Sequence, residues 1–295
     1  MATAPAPSQL KHTAEELAAR LPPLLVAAER VAATVSQGVH GRQRVGQGET
    51  FWQFRAYEPG EPAHRIDWRT SARSDRLYVR ETEWEAAESV WLWRDTSRSM
   101  DYASAPQLDT KRLRADLVTL ALAALLIRGG ERVALLGSGL PPACGNAVLN
   151  RLALLVGRDA GPGASLPMIE TLPRFAQIVL IGDFLSPLEE IDALVRRFAA
   201  FGVKGHLLQI LDPAEETLPF DGRVRFEDIE TDSSLLISRV ETVRAEYQAR
   251  LRNHQAGLEA LARMTGWSFA VHRTGTPPHR ALLALYGALA RPKPY

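Results

Sequence analysis

Beyond residue 88, short apolar runs alternate with helical patterns, and that alternation restricts the chain to an α/β fold: a doubly wound, mostly parallel sheet covered on both faces. The runs fall at 90–93, 133–136, 178–181, 203–211 and 267–271. Helical spacing fills the intervals at about 109–128, 146–156, 187–201 and 240–265, and a last helix is expected at 278–290. Residues 212–237 break the alternation with a loop and a hairpin whose strands lie near 223–226 and 235–237.

The chain ahead of residue 88 has a different texture. Leu21, Leu24, Leu25, Ala28, Val31, Ala32 and Val35 recur at three- and four-residue steps, which predicts a helix over 13–36 ending at Gly38. Between 41 and 87, Gly, Arg and aromatic residues crowd together, and Leu77, Val79 and Trp84 stand among charged neighbours as in a half-exposed strand. The resulting division is a disordered N-terminus at 1–12, a helix plus β-rich segment at 13–87, an α/β domain at 88–275, and a C-terminal helix and tail at 276–295.

Composition removes several function classes. Thirty-five Lys+Arg against 34 Asp+Glu leave a net charge of +1, so no global field argues for nucleic acid. Only Lys11, Lys111, Lys204 and Lys293 are lysines, and the other basic residues are arginines. The single cysteine, Cys144, excludes an internal disulfide and any multi-cysteine metal site, in keeping with a reducing compartment. Residues 1–12 lack the layout of a signal peptide, and the apolar stretches at 117–127 and 281–290 are shorter than the roughly 18 to 20 residues that span a bilayer. The expectation is a cytoplasmic protein with no direct membrane insertion.

In a doubly wound sheet, ligands sit outside the carboxyl ends of the strands, where strand order reverses. The first run delivers Asp95-Thr96-Ser97-Arg98-Ser99-Met100. In an extended turn, alternate side chains share a side, so Asp95, Ser97 and Ser99 can converge. The third run delivers Gly182-Asp183. If those two strands are neighbours, two carboxylates and two hydroxyls face one cleft, an all-oxygen set suited to Mg²⁺ or Mn²⁺ and wrong for zinc. The alternative is that these residues only form Asx and Ser turns at a strand exit.

Asp95, Ser97 and Ser99 before a helix, with Asp183 after a later strand, resemble the metal-ion-dependent adhesion site of a von Willebrand factor A domain. Two further motifs, Arg55-x-Tyr57-x-Pro59-Gly60 and Arg65-Ile66-Asp67-Trp68-x-x-Ser71-Ala72-Arg73, are similar to the signature of a bacterial family catalogued as domain of unknown function 58. That family places the signature just ahead of a von Willebrand A-like fold, and the resemblance covers about 20–275. It implies Asp95, Ser97, Ser99 and Asp183 as metal residues. Ser165, in a Gly-rich loop expected to precede a short helix, is the candidate for the adhesion site's threonine. Arg94 departs from the usual apolar residue ahead of the first Asp, and with Arg98 it brings positive charge beside the proposed cation.

For 55–73 two readings stand. In one, Asp67 accepts from Arg65, Arg69 or Arg73 and Trp68 packs beneath an arginine plane; in the other, the arginines and aromatics form a docking face. Enzyme motifs are missing: position 97 is not the second carboxylate of a D-x-D phosphatase, and neither a nucleophile elbow nor a phosphate-binding loop occurs. The seven histidines have no paired metal spacing. The expectation is a non-enzymatic, metal-dependent interaction module. The family resemblance implies an adaptor that works with a MoxR-type AAA+ ATPase on a client protein in remodelling or maturation. The rivals are a metal-free scaffold and a metal-assisted hydrolase using Asp95 and Asp183.

Overall fold

The computed structural model describes residues 45–57, 66–73, 76–83, 89–157, 163–227 and 234–289. The helix expected over 13–36, the disordered N-terminus, Pro59-Gly60, Arg65 and Trp84 lie outside them. The described residues divide at Ser89 into two compact units.

In the first unit, strand β1 (Val45–Ala56) pairs antiparallel with β2 (Tyr78–Glu83), and its register shifts between Gly46 and Gln53. Between them lies the single-turn helix α1 (Trp68–Ser71). The R-I-D-W-x-x-S motif has a structural account here. Ile66 is buried and bridges to Val79. Asp67 Oδ1 takes the Thr70 amide at 2.8 Å and so caps α1. Ser71, also buried, accepts the Tyr78 amide at 2.9 Å and pins α1 to β2. Trp68 is 62% exposed, so its ring is not sandwiched in a core.

In the second unit, a sheet of five parallel strands runs in the order β4 (Arg132–Leu135), β3 (Ser89–Arg94), β5 (Gln177–Gly182), β6 (Lys204–Leu211), β9 (Ser268–Arg273). Taken in chain order these strands lie 2-1-3-4-5, a doubly wound sequence whose switch point falls between β3 and β5. Every residue of β5 is buried, as expected of a central strand covered on both faces. Helices α2 (Lys111–Arg128), α3 (Asn146–Gly157) and α7 (His279–Leu289) supply one apolar layer with the β3 residues Val90 and Leu92. Helices α4 (Leu188–Ala200) and α6 (Val240–Thr265) supply the other with Ile178, Leu180 and Leu207.

Helix α2 is buried around most of its circumference, which explains its nearly uninterrupted apolar sequence. No helix among the described residues is long and apolar enough to cross a membrane. The interruption at 212–237 contains the short helix α5 (Pro213–Thr217) and the antiparallel hairpin β7 (Val224–Glu227) and β8 (Ser234–Ile237).

Candidate metal-binding cleft

Strands β3 and β5 are hydrogen-bonded neighbours, so their carboxyl ends bring Asp95 and Asp183 together. The Asp95 amide continues the ladder by donating to Ile181 O at 2.8 Å. Gly182 leaves room for the incoming side chain: a Cβ there would stand 2.9 Å from Asp95 Cβ and 3.2 Å from its Oδ2. Asp95 is fully buried. Its Oδ1 accepts the Ser97 amide at 2.8 Å, whereas its Oδ2 has no hydrogen-bond partner among the described residues. Burial, reinforced by the nearby Asp183 charge, pushes the Asp95 carboxyl up to about 7.

The convergence of the serines is reached differently from the extended turn expected. Ser97 precedes a 3-10 turn, Arg98–Asp101, and that turn swings Ser99 back until its Oγ lies 3.0 Å from Ser97 Oγ. Ser99 Oγ donates to Asp183 Oδ2 at 2.7 Å. Because that bond uses the only Ser99 hydroxyl proton, Ser97 must be the donor of the serine pair. The relay therefore runs Ser97 to Ser99 to Asp183, and it leaves lone pairs free on both hydroxyl oxygens.

The loop is fastened from α2. Arg112 Nη2 donates to Thr96 O at 2.9 Å and Ser97 O at 3.1 Å, and the guanidinium pairs with Asp101. On the other side, Gly163 N donates to Thr96 O at 2.9 Å, and a Cβ on Gly163 would stand 1.9 Å from Thr96 Oγ1. Beyond Asp183 the backbone enters the left-handed region at Phe184 (φ 48°). Gln209 Nε2 holds Asp183 O at 2.8 Å and His254 holds Phe184 O at 2.6 Å, so an uncommon conformation is fixed beside the carboxylate.

Two participants were not legible in the sequence. Lys111, fully buried at the start of α2, sets its Nζ 2.9 Å from Asp183 Oδ2 and 2.6 Å from Glu215 Oε1. Burial alone would lower the Lys111 ammonium, but the two carboxylates outweigh it and hold it above its ordinary value. Glu215 in turn belongs to a capping box on α5: Asp212 Oδ1 accepts from Ala214 N, and Glu215 Oε2 accepts from Asp212 N. The spacing Asp212-x-x-Glu215 was the signal that could have revealed it.

Two sequence expectations need correction. Arg94 brings no charge to the site: it faces α2 and α3, where its Nε lies 2.8 Å from Asp116 and its Nη2 donates to Val156 O at 2.6 Å. The apolar layer around it explains the direction, since Val90, Leu92 and Arg94 alternate onto that face. Arg98 stays exposed. Ser165 is followed by no helix before β5. It lines the same cleft as Ser99 and Asp183, and its Oγ accepts from Ser186 Oγ at 3.1 Å.

The cleft that opens over Ser99, Ser165 and Asp183 holds about 710 Å³. Asp183, Glu215 and Ser99 share its lining with Phe220, Phe226 and Tyr247, and the two phenylalanines meet edge to face at 5.8 Å. No three of His, Cys, Asp and Glu gather as a metal-holding group among the described residues. A cation here would therefore rest on the free Asp95 Oδ2, the two serine hydroxyls and Asp183. That donor set fits a small hard cation that keeps part of its water shell.

The sequence profile of the family described as "Protein of unknown function DUF58" matches residues 53–257. The chain belongs to this family. The DUF58 match takes in β2, the five-stranded sheet up to β6, and all four oxygen-bearing residues of the site. Uncharacterised proteins of Mycobacterium bovis and of Mycobacterium tuberculosis are each 27% identical to the chain over 279 residues, covering 88% of it and 86% of the relative. Among solved structures, an aerotolerance-related membrane protein of Bacteroides fragilis superposes with a TM-score of 0.41 at 14% identity, covering 68% of this chain and 98% of that one. BatB of Bacteroides thetaiotaomicron gives 0.41 at 12% identity, covering 69% and 97%.

Proposed function

We propose that this protein is a non-enzymatic interaction module in which a Mg²⁺ or Mn²⁺ ion, held by Asp95, Ser97, Ser99 and Asp183, accepts an acidic side chain from a partner. The observation that carries the reading is the buried Asp95 Oδ2, which has no hydrogen-bond partner among the described residues, in a strand-end loop whose two serine oxygens retain lone pairs. Leaving a buried carboxylate oxygen unpaired is costly, and a cation would repay that cost. A bound ion with an exchangeable position gives directional recognition of a carboxylate and makes association metal-dependent. Ser165 lines the cleft and is the further oxygen available to such an ion or to its water. The partner class implied by the family resemblance is a MoxR-type AAA+ ATPase, with the protein acting as its adaptor toward a client.

The test is a pull-down of candidate ATPases with and without EDTA, on wild type and on Asp95→Asn, which keeps the acceptor for the Ser97 amide. The proposal expects capture to be lost in both treated arms. Capture that ignores EDTA and Asp95→Asn would place the contact elsewhere and favour the second reading, a metal-free scaffold. Lys111 gives that second reading its specific support, since its ammonium already neutralises Asp183.

A further inference from the structure

We infer that Lys111 is a tethered cation that sets how tightly the Asp95–Asp183 site takes a divalent metal, an inference that rests on the metal reading above. The geometry is specific. Lys111 is fully buried, and its Nζ is bonded to Asp183 Oδ2 and Glu215 Oε1. Asp183 Oδ2 also accepts from Ser99 Oγ, so both of its lone-pair directions are in use. Asp95 Oδ2 has none of its own in use. The two Oδ2 atoms at the switch point are therefore unequal: that of Asp183 is saturated and paired with a fixed positive charge, and that of Asp95 is open.

A divalent ion entering beside Asp95 meets that fixed charge at once. It has to share Asp183 with the ammonium, and the ammonium opposes it through a poorly screened interior. Lys111 cannot leave into solvent as a surface lysine would, because it is enclosed at the start of α2 and its second partner, Glu215, is itself bound into the capping box of α5. The site is consequently a weak, selective one: a high-charge ion that gains Asp95 and the serine oxygens can enter, and a monovalent ion offers too little to compete. Glu215 lines the cleft in which the partner would sit, so the same lysine ties the metal residues to the cleft lining.

The decisive variant is the charge-balanced pair Lys111→Met with Glu215→Gln. It removes one positive and one negative charge, so the net field of the region is unchanged and only the hold on Asp183 is lost. Free Mn²⁺ is followed by electron paramagnetic resonance during titration of the full chain at pH 7.5, with circular dichroism confirming the fold. The inference expects binding at least tenfold tighter than wild type, and tightening of the same sign in Lys111→Gln, which keeps a donor for Asp183 and decides the matter if the double variant does not fold. Binding by the variants with none detectable in wild type supports the inference in its strongest form. Equal or weaker binding by folded variants, with wild type binding, overturns the inference and leaves the metal reading standing. Absence of binding in all of the proteins overturns both.

Discussion

The Ser99 hydroxyl donates to Asp183 Oδ2 across 2.7 Å, joining residues 84 positions apart in the chain. The bond exists because β3 and β5 are adjacent in the sheet although a strand and two helices separate them in sequence. It makes the first strand-end loop and the third strand-end carboxylate one unit. Removing it tests that unity. Ser99→Ala is expected to cost about 1.5 to 3 kcal/mol, the range for a hydrogen bond to a charged group. Thermal unfolding should fall by roughly 3 to 12 °C for a domain of this size. An unchanged Tm would show that loop and strand end are independent.

Gly182 tests the same site through packing. An alanine Cβ would press on Asp95 Cβ at 2.9 Å, so the carboxylate must shift or β5 must bend. Gly182→Ala is expected to lose about 1 to 3 kcal/mol by overpacking and to abolish Mn²⁺ binding in a calorimetric titration. Retained affinity would mean that Asp95 does not hold its observed position in the binding state.

Arg112 offers a prediction in which field and position have opposite signs. Deleting a cation near a metal should favour the metal electrostatically, whereas freeing Thr96 O and Ser97 O should loosen the loop that presents Ser97. Loss of position is expected to win, because the ligand oxygens must stay within coordination range. Arg112→Ala should therefore weaken Mn²⁺ binding about tenfold, within the range seen when outer-shell partners are removed. Tighter binding would refute the positioning role.

Two buried histidines set an acid limit away from the cleft. His206 meets Ser268 Oγ at 2.8 Å and Gln177 Oε1 at 3.3 Å, and His272 meets Arg114 at 3.1 Å and Thr276 Oγ1 at 3.3 Å. Arg114 can only donate, so His272 Nε2 must accept and the ring must be neutral. Burial, with Lys204 near His206 and Arg114 near His272, lowers both to about 4. A histidine whose folded value is depressed contributes stability that is complete above its unfolded value near 6.5 and disappears as pH falls toward 4. Each contributes up to about 3 kcal/mol by linkage. Chemical denaturation at pH 7, 5.5 and 4.5 should show a steep loss, and His206→Gln should make the profile shallower. A flat wild-type profile over that window would contradict the neutral assignment.

The sheet was readable in advance because its central strands are buried on both faces: β5 runs from Ile178 to Ile181 without a polar residue, and β6 is buried from Gly205 to Leu211. Asp95 and Asp183 followed from standing directly after such runs. The ion pairs of Asp183 and Glu215 with Lys111 were not readable. Lys111 lies 72 residues from Asp183 and 104 from Glu215, and a lysine at a helix start ordinarily reads as a solvated residue. Arg94 misled for the same reason, since its partner Asp116 is supplied by a helix that only the fold brings beneath β3. Ser165 shows a different limit: glycines beside a serine announce a loop, and nothing local says whether a helix follows.

A divalent cation at the carboxyl ends of β3 and β5 would be seen by anomalous diffraction at the manganese edge from a crystal equilibrated with Mn²⁺. One strong peak is expected within coordination distance of Asp95 Oδ2 and the Ser97 and Ser99 hydroxyls, absent in Asp95→Asn. A well-ordered site with no peak there, or a peak that persists in Asp95→Asn, would contradict it.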